Sequence, residues 1–242
     1  MRIMLADRPA LVLDIETDKL PNAADYLDPI EADKRLTDPV KIEINKIERA
    51  KAREERLGLD WNVGRIVALG WWTDDHGWSV TCCATEAVEA DAIRHFWRHA
   101  NGHTLVGFNH AEFDLPYLIQ RSRFLGIAHP DLDLGKYAKY GVVDLFRLLT
   151  FNEGHYANDR ACMRRTLTAF CKRFGIEVTD TLRGSDIPAL VAAGQWDEIE
   201  AHCLSDLRLT VALARALRVV PNENELLDDA LARIRRLEDA RP

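Results

Sequence analysis

The chain has 242 residues and no Ser-, Gly- or Pro-rich linker, so we expect one domain with a substantial hydrophobic core. A hydrophobic content of 47% with 29% charged residues is ordinary for a globular enzyme and excludes extensive disorder. The formal net charge of -7 argues against a broad basic surface for nucleic acid, but it is compatible with an enzyme that holds only a few nucleotides.

Neither the cysteines nor the apolar segments indicate an extracellular or membrane protein. The five cysteines form no C-x-x-C pair and have no histidine at zinc-finger spacing, which favours reduced thiols in the cytoplasm. No run of 18 apolar residues occurs, and the first residues are too short a hydrophobic stretch for a signal peptide. We therefore predict a cytoplasmic protein with no membrane partner.

The first strong element is a strand at residues 10–17, A-L-V-L-D-I-E-T. Four apolar residues precede Asp14 and Glu16, a pattern typical of a strand buried on both faces. Because side chains alternate along a strand, both carboxylates lie on one face, roughly 7 Å apart along the strand axis. Two such anions lose hydration and repel each other, so a divalent cation is the expected partner, and a solvated strand end is the alternative.

Residues 18–60 read as an insertion. Pro21, Pro29 and Pro39 indicate an irregular surface excursion, and residues 41–57 predict a charged helix. Two interpretations of this helix stay open, a solvated surface helix and a flap over a phosphate-binding cleft. The predicted helix has a thin apolar stripe with one acid in it, at Ile44, Ile47, Ala50, Glu54 and Leu57.

The next segments predict the arrangement of the sheet. Strands are predicted at 65–73 and 77–83, a helix at 86–100, a strand at 104–108 and a helix at 115–125. The first strand with the hairpin forms a meander, and crossovers follow it. This order predicts an α/β ribonuclease-H-like fold, with a mixed five-stranded sheet flanked by helices and a helical insertion after the first strand. Asp114 falls at a predicted helix N-cap, which gives it a structural role as well.

Two motifs carry a family resemblance. L-D-I-E-T, followed further on by N-x-x-x-F-D, resembles the first and second motifs of the DEDD superfamily of 3'-5' exonucleases. The resemblance implies that Asp114 is the third acid of the site. It also implies that Thr17, Asn109 and Phe113 border the terminal nucleotide.

A long helix at residues 196–219 carries the last motif. An ionised Asp206 in so apolar a helix is costly unless it is paired or bound to a metal, which makes it the fourth acid. The stretch G-Q-W-D-E-I-E-A-H-C-L-S-D-L-R-L-T resembles exonucleases related to the proofreading domain of family B DNA polymerases. Its spacing matches the subfamily with Tyr four residues before the Asp, but this chain has His202 there. We expect His202, one helical turn before Asp206, to orient or deprotonate the attacking water.

The resemblance implies a two-metal hydrolase. Asp14, Glu16 and Asp206 would hold the Mg²⁺ or Mn²⁺ ion that activates water, Asp14 would bridge the two ions, and Asp114 would help place the second. The expected activity is release of nucleoside 5'-monophosphates from the 3' end of single-stranded DNA, with a DNA polymerase or repair complex as a further partner. An RNA exonuclease of the same fold and a non-catalytic module that binds nucleic acid or a polymerase are the alternatives.

The remaining segments predict packing elements. Residues 142–149 predict a short strand that runs into a helix, and Asp144 near the transition is interpreted as a helix cap. Further helices are predicted at 166–174 and 186–193. The polar loop at 151–165 contains arginines that could contact phosphates, although a solvated surface is the simpler interpretation. A C-terminal helix at 222–238 completes the expected single exonuclease domain of residues 1–242.

Overall fold

The computed structural model describes residues 8–135, 141–151 and 166–221. Three short 3-10 turns supplement its strands and helices, at Ala23–Tyr26, Leu57–Leu59 and Gly184–Asp186. In chain order the elements are β1 (Ala10–Lys19), α1 (Pro39–Glu54), β2 (Gly64–Thr73), β3 (Gly77–Cys82), α2 (Glu86–Ala100), β4 (Thr104–Gly107), α3 (Asp114–Phe124), β5 (Val142–Asp144), α4 (Leu145–Leu149), α5 (Leu167–Arg173), α6 (Ile187–Ala193) and α7 (Trp196–Ala216).

The strands form one five-stranded sheet in the order β3-β2-β1-β4-β5. β1 pairs antiparallel with β2, and β2 with β3, whereas β4 runs parallel to β1 and β5 parallel to β4. The short turn between β2 and β3 permits antiparallel pairing, and α2 and α3 provide the crossovers that parallel strands need. The predicted mixed five-stranded sheet with flanking helices is confirmed.

The two faces of β1 have different partners. Leu11, Leu13 and Ile15 pack against side chains of α2 and α3 on one face. Ala10 and Val12 face the other way and pack with side chains of α5 and α7. Alternation places the next residues of this second face, Asp14 and Glu16, toward the same helical layer. On this face, the first residues of β1 belong to the hydrophobic core, and the last ones present carboxylates to the helical layer.

A β-bulge lies at this acidic end. Glu16 is opposite Ala68 and Thr17 is opposite Ile66, so β2 contributes one extra residue, Val67, at the shift of register. Beyond the bulge, β2 is fixed from the other layer by Glu89, whose Oε1 accepts the Ile66 amide at 2.9 Å.

Glu89 is itself held by a buried ion pair. Its two carboxylate oxygens accept from Nε and Nη2 of Arg121, both at 2.7 Å. This two-point contact joins α2, α3 and β2. It makes the bulged end of the sheet a rigid support.

The helix of the insertion differs from the prediction. Asp38 caps its N-terminus, and it ends at Glu54 rather than at residue 57. None of its residues, all of which the structure describes, is buried, and the stripe residues Ile44 and Ile47 are 51% and 62% exposed. These stripe residues therefore lie at the surface, which both interpretations of the helix allow. Only Leu57, in the following turn, is buried.

Two side-chain contacts tether the C-terminal half of α1. Glu54 forms an ion pair with Lys19, the last residue of β1. Arg53 donates through Nη1 to the Asp28 carbonyl at 2.6 Å. The insertion begins after Lys19, slightly later than predicted, because β1 continues to that residue. α1 is therefore anchored beside the acidic end of β1 and is otherwise exposed.

Two predicted segments lie outside the described residues. These are the C-terminal helix at 222–238 and all of the arginine-containing loop at 151–165 except Phe151. Among the residues that the structure describes, no helix has both the length and the apolar character needed to cross a membrane.

Candidate active site

The second face of β1 meets α7 at Asp14 and Glu16. Gly70 of β2 is the partner of Asp14 in the sheet, and a Cβ on Gly70 would lie 3.0 Å from Cys203 Sγ and 3.4 Å from Leu207 Cδ2. The missing side chain at Gly70 thus allows α7 to approach the sheet closely. This approach brings the polar turn of α7, from His202 to Asp206, over the end of β1.

Three side chains form a compact set of candidate metal ligands. Glu16, His202 and Asp206 each offer one ligand atom, and these atoms lie within 4.8 Å of one another. Among the described residues no other group of this kind occurs. His202 Nε2 lies 3.5 Å from Glu16 Oε1. His202 and Asp206 share one face of α7 because four residues separate them.

Asp114 reaches the same site from the start of α3. Its Oδ1 accepts the backbone amide of Ile15 at 3.1 Å. β4 pairs with β1 only from Ala10 to Val12, so Asp114 satisfies a strand amide that lies beyond the end of β4. The N-cap of α3 is Phe113, and the helix-cap position predicted for Asp114 is therefore wrong. Its carboxylate points across to β1 instead.

Burial disfavours the charged form of all four acids, and repulsion from the other site acids adds to it for Asp14 and Glu16. Burial raises the pKa of Asp14 well above its usual value, and Asp114, Glu16 and Asp206 raise it further. Burial likewise raises the pKa of Glu16 to about 8, although His202 opposes this shift. The pKa of Asp114 rises to about 7, mainly through burial, and that of Asp206 is also raised by burial.

These shifts fit a site that receives positive charge. The carboxylates cannot all ionise near neutral pH without a counter-charge, and a divalent cation would supply it. Carboxylate oxygens are the ligands that such cations prefer. The carboxylates at this site are therefore chemically suited to bind a divalent cation.

Asp180 is the site residue that the sequence did not reveal. Its Oδ2 accepts from Nδ1 of His202 at 2.6 Å, and its Oδ1 accepts the Leu182 amide at 2.9 Å. Burial alone would lower the pKa of His202, but Glu16, Asp180 and Asp206 outweigh it and raise the pKa. Asp180 lies between α5 and α6, where an acid among turn residues is ordinary. Only its distance from His202 reveals its connection to the site.

The three predicted nucleotide-binding residues lie close to the acids in the chain. Thr17 is buried next to Glu16 and lies close to the Tyr117 phenol, whose O–H donates to the Gly58 carbonyl at 2.9 Å. Asn109 has a φ of 61° in the turn before α3, and the ring of Phe113 packs against that of Tyr117 in a tilted arrangement with 5.6 Å between ring centres. Their contact with a nucleotide stays a prediction.

Asp144 caps α4, as predicted. Its Oδ1 accepts the amides of Phe146 at 2.8 Å and Arg147 at 3.3 Å. The same carboxylate also accepts the amides of Asn109 at 3.0 Å and Ala111 at 3.2 Å. Asp144 therefore fixes the turn that leads to Asp114.

The sheet order and the acidic end of β1 define a ribonuclease-H-like α/β protein with a candidate metal site. A solved structure with this fold is the family B DNA polymerase from the hyperthermophilic archaeon Pyrobaculum calidifontis, with a TM-score of 0.53 and 19% sequence identity. The likeness covers 87% of this chain but 24% of the polymerase chain, so this chain spans about a quarter of that protein's length.

Residues 60–218 match a family described as predicted 3'-5' exonucleases related to the exonuclease domain of PolB. The chain belongs to this family, and the predicted relationship to family B exonucleases is confirmed. No curated protein matches the chain.

The matched range includes one part of the candidate site. Asp114, His202 and Asp206 lie within it, whereas Asp14 and Glu16 precede it. The structure brings these two groups of residues together through the pairing of β1 with β2 and the packing of α7 on both strands.

Proposed function

We propose that the chain is a metal-dependent 3'-5' exonuclease that releases nucleoside 5'-monophosphates from the 3' end of single-stranded DNA. The observation that carries this proposal is the convergence of four acids from β1, α3 and α7, with pKa values raised by burial and, for Asp14 and Glu16, by mutual repulsion. Membership in a family described as predicted 3'-5' exonucleases supports the reaction class and its direction.

The four acids would hold two Mg²⁺ or Mn²⁺ ions. Asp14, Glu16 and Asp206 would hold one ion, and Asp14 and Asp114 would hold the other. When bound, such ions supply Lewis-acid stabilisation of the phosphate and a nucleophilic water at neutral pH.

The protein groups then have separate tasks. The rigid end of β1 fixes Asp14 and Glu16, and the Ile15 amide fixes the orientation of Asp114. His202, held by Asp180, lies beside Glu16 at the position from which the family's usual tyrosine would orient water. Thr17, Asn109 and Phe113 would border the terminal nucleotide. The phosphate would thus be held where its 3' oxygen leaves and water enters.

The direct test uses single-stranded DNA with a label at its 5' end. We expect ladders of products shortened from the 3' end in Mg²⁺ or Mn²⁺, with nucleoside 5'-monophosphates as the released product and no release in chelator. Asp206→Asn is the inactive control. If the purified protein binds the oligonucleotide but releases no nucleotide with either metal, the non-catalytic binding module is correct instead. If a matched RNA is degraded faster than the DNA, the substrate in the proposal is wrong and the enzyme is an exoribonuclease.

A further inference from the structure

We propose that His202 is itself a metal ligand, so that this site binds a first-row transition ion such as Mn²⁺ in preference to Mg²⁺. This inference deepens the proposed function, because it concerns the same metal site. It replaces the role in orienting water that the resemblance suggested for this position.

The first argument is the position of the imidazole. One ligand atom each from Glu16, His202 and Asp206 lie within 4.8 Å of one another, a spacing that a single ion can bridge. His202 is 3% exposed and its Nε2 lies 3.5 Å from Glu16 Oε1, so the ring nitrogen lies at the site rather than in solvent. A tyrosine at this position would present a protonated phenol, which is a poor ligand at neutral pH.

The second argument is the orientation of the ring. Asp180 Oδ2 lies 2.6 Å from His202 Nδ1, which is a hydrogen-bond distance. A carboxylate can accept a hydrogen bond but cannot donate one. Nδ1 therefore carries the proton in the neutral ring, and the Nε2 lone pair is available to a cation.

This arrangement is the one found around metal-binding histidines. Such a histidine almost always donates its second ring N–H to a carboxylate or a carbonyl, which fixes the tautomer and raises the basicity of the ligating nitrogen. Asp180 is then a positioning residue that acts through His202. Its own orientation is fixed by the Leu182 amide, so the pair is held in place from the loop before α6.

The donor atoms determine which ion is preferred. Mg²⁺ favours oxygen ligands and gives up its water reluctantly, whereas the affinity of a mixed nitrogen and oxygen site increases along the first-row transition series, of which Mn²⁺ is the weakest-binding member. Replacing an all-oxygen set with two carboxylates and one imidazole therefore shifts selectivity away from Mg²⁺.

The test uses the full-length protein with Mn²⁺ alone, observed by pulsed electron paramagnetic resonance. We expect modulation from a ¹⁴N nucleus coupled to the bound ion. The coupling should disappear in His202→Tyr, which restores the family's usual residue, and persist in His76→Tyr, which makes the same exchange at an exposed histidine in the β2–β3 turn. Bound Mn²⁺ without ¹⁴N coupling in the wild type overturns the proposal.

Metal affinity gives a second, independent measurement. By titration calorimetry, His202→Tyr should raise the Kd for Mn²⁺ about tenfold or more and change the Kd for Mg²⁺ much less. Asp180→Ala should weaken Mn²⁺ binding by about tenfold, and Asp180→Asn, which keeps a hydrogen-bond acceptor, should recover part of the loss. Equal losses for Mg²⁺ and Mn²⁺ would contradict the assigned nitrogen ligand.

The outcomes separate this inference from the proposed function. If Mn²⁺ binds without nitrogen coupling and nucleotides are still released, His202 is not a ligand but the exonuclease stands. If Mn²⁺ binds with nitrogen coupling and no nucleotide is released, the metal site stands and the exonuclease fails. Circular dichroism of each variant shows that a lost signal does not reflect unfolding.

Discussion

Asp114 combines a structural and a chemical task in one side chain. Its carboxylate accepts the Ile15 amide, and the same group faces the other acids of the site. Replacement by Ala removes the hydrogen bond together with the charge, whereas Asn retains an acceptor oxygen. A comparison of the two variants therefore separates the two tasks.

We predict that Asp114→Ala is less stable than Asp114→Asn by about 1 kcal/mol or more, because only the alanine leaves the buried Ile15 amide without a partner. Both variants lose the repulsion with Asp14, so this contribution cancels in the difference. Urea unfolding in chelator measures the free energy of unfolding. Equal stabilities would mean that water or another group satisfies the Ile15 amide.

We also predict that Asp14→Asn, Glu16→Gln, Asp114→Asn and Asp206→Asn each lower nucleotide release at least about a hundredfold. The four acids act on one site, so combining two substitutions should cost far less than the product of the single losses. Single-turnover release from end-labelled DNA is the measurement. Asp197→Asn, an exposed acid on the same helix α7, is the matched control. An acid whose removal leaves turnover near wild type does not belong to the site.

At the residue scale, the sequence motifs and the strand alternation predicted the four acids but not Asp180, the residue that orients His202. Asp14 and Glu16 follow from period-two alternation in an apolar strand, and Asp114 and Asp206 from the motifs. Asp180 could not be predicted, because its contact with His202 depends on how the loop before α6 returns to α7. A distance of this kind leaves no periodic signal in the sequence.

At the scale of elements, the position of α7 on the sheet determines the geometry of the site. Gly70 lies under α7 at Cys203, which is the neighbour of His202 in the chain. A methyl group at Gly70 would have to push Cys203 outward by a few tenths of an ångström, with Leu207 already at van der Waals contact. The displaced segment of helix carries both His202 and Asp206.

We therefore predict that Gly70→Ala lowers nucleotide release by roughly tenfold, since small misplacements of catalytic groups are costly. The overpacking should also destabilise the fold by about 1 to 3 kcal/mol. Adding Cys203→Ala, which removes the nearest atom, should restore most of the activity. Gly184→Ala, where the added carbon meets open space, is the control. If the double variant is no more active than Gly70→Ala, the approach of α7 is not what the glycine secures.

The insertion helix shows a limit of element prediction. Charge and apolar spacing predicted the helix but left open what its apolar stripe contacts, and the structure leaves Ile44 and Ile47 exposed. Periodicity indicates a helix face and carries no information on whether a partner surface exists. The tether of Glu54 to Lys19 anchors α1 beside the acidic end of β1, which keeps the flap hypothesis testable.

For α1 we predict that Lys46→Ala/Arg49→Ala raises the KM for DNA several-fold and leaves kcat nearly unchanged. Each lost phosphate contact should reduce the salt slope of log KM by about 1. Arg53 is left intact, because its bond to the Asp28 carbonyl anchors the helix. Arg94→Ala/Arg98→Ala, on the exposed face of α2, is the matched basic pair. Equal salt slopes in wild type and the α1 variant would identify α1 as a solvated helix.

For the whole molecule, the acidic site sets a conflict between stability and function. The fold places buried carboxylates together at the end of its central strand, and each is more easily ionised in the unfolded chain than in the folded protein. The ribonuclease-H-like sheet could be predicted from the order of elements, because meander and crossover connections permit few arrangements. The free-energy cost of ionising these carboxylates could not be predicted, because it depends on their burial, which only the packed helices create.

We predict that the metal-free protein loses stability as the pH rises from about 4 to about 8. The pKa of Glu16 is raised from 4.5 to about 8 and that of Asp114 from 3.8 to about 7. A raised pKa means that the folded state binds the extra protons, so the stabilisation is full below the ordinary pKa and is lost as pH rises through the shifted one. The raised pKa of His202 likewise makes stability fall as the pH rises. The lowered pKa of Asp180 makes stability fall as the pH drops, and only at acidic pH.

Thermal melting in chelator should therefore show a Tm that falls toward pH 8, and Mn²⁺ should raise the Tm more at pH 8 than at pH 5. Glu16→Gln should raise the Tm of the metal-free protein at pH 8 by at least about 3 °C, the equivalent of roughly 1 kcal/mol in a chain of this size. The same variant should respond less to Mn²⁺, because it lacks one ligand and part of the repulsion that the ion relieves. Asp197→Asn should follow the wild-type curve throughout. A metal-free Tm that stays level between pH 5 and pH 8 would mean that the four carboxylates are hydrated in the folded protein and do not oppose its stability.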